Sequence, residues 1–79
     1  MSNDARDAGR LKMPTPDLGF EEPIKGEWHW WYRLPGPGGI AIWEDSGTVS
    51  SSGDASRALE TAQKEGVKQW RDWCQLRGL

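Results

Sequence analysis

The chain is poor in the residues that usually carry chemistry. Its 79 residues include one cysteine, one histidine, one phenylalanine, one tyrosine and two methionines. A lone Cys74 cannot close an internal disulfide, and a secreted domain this small normally needs such staples. The expected location is therefore intracellular, in the cytoplasm. His29 has neither a second histidine nor a C-x-x-C companion, so no metal and no cofactor are expected. No apolar run approaches the length of a membrane span, and Met1–Asp7 has no hydrophobic stretch of the kind a signal peptide needs. Nor is there an excess of one charge. Ten Lys and Arg stand against twelve Asp and Glu, whereas coating nucleic acid takes a surplus of cations to neutralise phosphates. The length allows one domain and excludes a dinucleotide-binding fold or a barrel enzyme. It also leaves little room for a small-molecule pocket.

No catalytic pattern fills the gap. Gly36-Pro37-Gly38-Gly39 is glycine-rich but lacks the lysine and the following helix of a phosphate loop, and reads as a hairpin loop. Ser50-Ser51-Ser52 has no base placed near it by any motif and reads as a turn and helix cap. Cys74, at the flank of an apolar helix face, is most simply a small core residue. The chain is expected not to be an enzyme, with no catalytic residues.

What the chain has in quantity is glycine (ten), proline (five) and tryptophan (six). Residues 1–26 mix charges of both signs with three prolines and cannot pack a core alone. They read as a tail or docking arm, with 1–12 a disordered leader and Leu18, Phe20 and Ile24 pinning an extended arm to the domain or to a second chain. Residues 27–79 read as a single domain. Glu27–Leu34 is aromatic and free of Gly and Pro, which predicts a strand. Its alternation puts Trp28, Trp30, Tyr32 and Leu34 on one face and His29, Trp31 and Arg33 on the other. Pro35–Gly39 turns the chain, Ile40–Asp45 reads as a second strand, Ser46-Gly47 as a turn and Thr48–Ser51 as a short third strand. A helix then runs from an N-cap at Ser52 to about Arg77, stopped by Gly78. Ala55, Leu59, Ala62, Gly66, Trp70 and Trp73 fall in one sector of it, its buried face. Gly66 in that sector predicts a close approach of the sheet, under a tryptophan. The fold class is α+β: a three-stranded antiparallel meander packed on one C-terminal helix, with an extended N-terminal arm.

One helix covers one face of a sheet. Strand parity places Trp31 and Trp43 on the other face, with Arg33 and His29, and Phe20 joins them from the arm. These five are the expected binding residues, since exposed Trp and Arg dominate interface hot spots. The competing reading has the arm cover the two rings. Glu44-Asp45 reads as a solvated turn or as acidic contacts for a basic partner. On the helix, Arg57, Lys64, Lys68 and Arg71 form a basic stripe opposite the apolar face, diluted by Glu60, Glu65 and Asp72.

The stretch from Trp28 to Ala62 runs from an aromatic strand through a Gly turn, a strand ending in Trp and a Ser-Gly-Thr turn to a helix opening Asp54-Ala55-Ser56-Arg57-Ala58-Leu59. In this it resembles the AP2-like small domains, which carry three strands and a C-terminal helix and in some phage-type integrases lay the sheet in the DNA major groove. Of the basic residues such a sheet face carries, only Arg33 is on the strands here. The strand-to-helix junction is also similar to that of double-stranded-RNA-binding domains, with Ser52-Gly53-Asp54 in place of their basic helix start. In its short, Trp-rich make-up the chain resembles small accessory proteins of phages and mobile elements, including inhibitors of host defence. That likeness implies the host cytoplasm for a phage-encoded chain. The function expected is a non-enzymatic protein-binding module, an inhibitor or adaptor that occludes a surface on a larger protein or holds a homodimer together. The alternative is a nucleic-acid-binding module using the sheet and the basic stripe. No membrane and no small-molecule partner are expected.

Overall fold

The computed structural model describes residues 12–78, so most of the expected leader, residues 1–12, lies outside the described residues. The expected fold class holds: a three-stranded antiparallel sheet packs one face against a single long helix. The strands are β1 (Asp17–Ile24), β2 (Glu27–Pro35) and β3 (Ala41–Val49), in that order across the sheet, followed by helix α1 (Ser52–Leu76).

The strands are drawn from the sequence differently than expected. The docking arm is itself a strand: Asp17–Glu21 pairs with Arg33–His29, and Ile24 with Glu27. A bulge between Glu21 and Ile24 accommodates Pro23, which has no N–H to give a ladder. Lys25-Gly26 closes the hairpin, with Gly26 at φ 82° and its N–H donating to Glu22 Oε2 at 2.7 Å. The two short strands expected on either side of Ser46-Gly47 are one continuous strand, β3. Gly47 is no turn residue. It lies opposite Trp30, and a Cβ there would stand 2.8 Å from Trp30 Nε1. The missing side chain leaves room for the indole.

Helix α1 starts one residue earlier than expected. Ser51 is the N-cap, its hydroxyl accepting from the Asp54 N–H at 3.1 Å. It ends as expected, with Gly78 at φ 72° after the Arg77 cap. Ala55, Leu59, Ala62 and Gly66 are buried, while Trp70 and Trp73 are half-buried. The core is Tyr32 and Leu34 from β2 against Leu59 and Ala62, ringed by Met13, Leu18, Trp30, Ile42, Trp43 and Trp70. Gly66 does admit the sheet closely, but under Tyr32 rather than a tryptophan. Among the described residues no helix is long and apolar enough to cross a membrane.

Candidate functional site

The face of the sheet turned away from α1 is built by three rows of cross-strand neighbours. Asp17, Arg33 and Glu44 form one row, Gly19, Trp31 and Ser46 the middle row, and Glu21, His29 and Thr48 the third. Side chains paired across antiparallel strands share a face, so Trp31 is the one large apolar group among polar neighbours. Its ring lies across Gly19, where a Cβ would come within 2.6 Å of Trp31 Cζ2. Glycine at that position lets the indole lie against the β1 backbone, half-buried without any covering element among the described residues.

The polar rows are tied down. Arg33 donates from Nη2 to the Gly39 carbonyl at 2.8 Å and holds Glu44 at 3.9 Å through Nε. His29 Nε2 stands 3.2 Å from Glu27 Oε1. Pairs this exposed contribute little to stability. Their effect is to fix orientation, with Arg33 bridging β2 to the Pro-Gly loop. With Asp17, Glu21, Glu27 and Glu44 against Arg33 and His29, this face is acidic. A shallow concavity of about 400 Å³ opens on it beside Trp31, between Asp17, Arg33 and Glu44.

Three of the five expected binding residues, Trp31, Arg33 and His29, are thus brought together. Trp43 and Phe20 are not. A register shift in β2–β3 pairs Leu34 with Trp43 but Pro35 with Ala41, which leaves Ile42 as an extra residue. The bulge reverses the parity, so Trp43 joins Leu34 on the helix side and its ring meets Tyr32 at 5.5 Å between centroids. Phe20 lies opposite Trp30, again on the helix side, and stacks at 5.7 Å on Trp28. The basic stripe of Arg57, Lys64, Lys68 and Arg71 is exposed along α1, with Arg57 paired to Asp54 in the first turn. Cys74 is on α1 and His29 on the far face of the sheet. Among the described residues no group of His, Cys, Asp and Glu is arranged to hold a metal.

Sequence reasoning missed a second surface, where the C-terminal end of α1 faces the Pro-Gly loop. Two concavities of about 290 Å³ each flank Trp73 there. Pro35, Pro37, Ile40, Ile42 and Trp70 form most of their walls. The signal was present in Pro35 and Pro37, which read only as turn chemistry, and in Ile40, which reads only as the start of a strand.

No protein-family model, curated protein or solved structure matches the chain.

Proposed function

We propose that this chain is a non-enzymatic protein-binding module that uses the uncovered face of its sheet, centred on Trp31 with Arg33 and His29. The observation that carries this is the seating of Trp31 over Gly19, in the middle of a polar face that no described element covers. A flat, pre-positioned indole loses little conformational freedom on binding, and rigid aromatic anchors within a polar rim are the usual hot-spot arrangement. The acidic rows around it select a basic protein surface and oppose the phosphates of a nucleic acid. Occlusion of a partner's surface, as an inhibitor or adaptor of the kind its likeness to small phage accessory proteins implies, needs nothing further. The helix stripe is the alternative site, and Glu60, Asp72 and the Asp54–Arg57 pair weaken its field.

The test is retention of partners from a lysate of the source cells by four chains: wild type, Trp31→Ala, Arg33→Ala and the double change Lys64→Glu with Lys68→Glu. A protein held by wild type and by the helix variant but lost with Trp31→Ala is the expected result. Binding of duplex DNA that falls steeply with salt and disappears in the helix variant would replace this reading with the nucleic-acid one.

A further inference from the structure

The two ends of the molecule are complementary, and we propose that copies of this chain associate head to tail through them. At one end, the tip of the β1–β2 hairpin exposes apolar groups on both sides of the sheet, Phe20 (41%) against Trp28 on the helix side and Ile24 (63%), opposite Glu27, on the other, with Glu21 and Glu22 also acidic there and Lys25 as the one basic residue. At the other end are the paired concavities around Trp73. Among the described residues their charged lining is Lys12 and Arg77, both basic, and Ile40 at their lip is 76% exposed. The Arg77 guanidinium lies 4.2 Å from the Trp73 ring centre, at the edge of the groove.

An apolar, acidic tip and an apolar, basic groove on one chain fit each other in both hydrophobic and electrostatic terms. The tip and groove are at opposite ends of β2, so one molecule cannot satisfy itself. The contact joins two different surfaces, and a contact of that kind extends into a ring or a chain rather than closing on a two-fold axis. The tip takes in the hairpin end of the open sheet face, with Glu21 and Glu27, but leaves Trp31 and Arg33 free, so the two proposals rest on different apolar anchors.

The test is sedimentation-equilibrium mass across a concentration series, with Ile24→Glu and Ile40→Glu as the probes. Both residues are exposed, so neither change disturbs the core, and circular dichroism checks that both variants fold. Wild type is expected to grow in mass with concentration and to shrink with added salt, whereas each variant stays at the mass of one chain. The deciding measurement is the mixture. Ile24→Glu keeps an intact groove and Ile40→Glu an intact tip, so together they form a species of two chains and no larger. A wild type that is monomeric at millimolar concentration overturns the proposal, and so does a mixture that stays monomeric. Loss of self-association in Trp31→Ala would also overturn it, by placing the contact on the open sheet face.

Discussion

Gly66 of the helix sits directly on the ring of Tyr32: a Cβ at Gly66 would run into the Tyr32 hydroxyl and lie 2.7 Å from Cζ. Tyr32 is 1% exposed, and among the described residues its hydroxyl has no hydrogen-bond partner. The contact sets the spacing between helix and sheet at the centre of the core.

Gly66→Ala is therefore expected to destabilise. In an exposed helix the change would add about 1 kcal/mol through propensity. Here the methyl group meets ring carbons that packing holds in place, and overpacking of this kind costs about 1–3 kcal/mol. Chemical denaturation should show a lower midpoint for Gly66→Ala. An increase would mean that the helix lifts off Tyr32 without cost.

Tyr32→Phe should leave stability unchanged or raise it, because it removes a buried hydroxyl that no described residue satisfies. The same burial pushes the Tyr32 phenol above its ordinary value of 10.0. An acid held protonated in the fold stabilises fully below its unfolded value, and that contribution is lost as pH rises from there through the folded value. Wild type is thus expected to lose stability above about pH 10, and Tyr32→Phe to lose less. Melting curves of the two proteins between neutral and strongly alkaline pH measure the difference.

The glycines also mark what was legible in the sequence and what was not. The helix, its buried sector and the faces of β2 follow from unbroken periodicity, so Tyr32, Leu34, Trp31, Arg33 and His29 fall where alternation puts them. Gly66 reads as a point of close approach from its place in the apolar sector, whereas Gly47 reads as a turn. In the fold Gly19, Gly47 and Gly66 make room for Trp31, Trp30 and Tyr32, three aromatic residues of β2. Which ring each glycine admits depends on what lies opposite, and no local pattern encodes that. For the same reason β1 reads from the sequence as an arm and β3 as two strands. The reversed position of Trp43 has a different cause, the bulge at Ile42, which a count by twos cannot register.

Trp43→Ala should behave as a core mutation. Its ring packs on Tyr32 and lies in the rim of the Leu34–Leu59 cluster, and aromatic truncations in cores cost about 3–5 kcal/mol. In a domain with little stability to spare, that loss approaches global unfolding. Trp31→Ala should melt close to wild type. Equal melting temperatures for the two variants would return Trp43 to the surface.

Ser51 and Ser52 are separated by one position and by function. Ser51→Ala removes the acceptor for the Asp54 N–H and is expected to cost about 1 kcal/mol. Ser52, at the first helical position, caps nothing, and Ser52→Ala should be neutral or slightly favourable through helix propensity. Denaturation midpoints of the two variants distinguish them.

Gly19→Ala tests the binding face without touching any residue proposed to contact a partner. The new methyl group would occupy the space 2.6 Å from Trp31 Cζ2, so the indole must tilt away from β1 into solvent. Alanine is itself a tolerable strand residue, and the site is on the sheet face away from the core, so the fold should survive. If the pre-positioned ring is what binds, partner affinity should fall by about tenfold, or about 1.4 kcal/mol, although every contact residue is still present. Trp31→Ala should cost more, about 2 kcal/mol or above, as expected for a hot-spot aromatic. Acrylamide quenching of tryptophan fluorescence should rise in Gly19→Ala, reporting the displaced ring. Raised quenching with unchanged affinity would show that the seat at Gly19 serves packing alone.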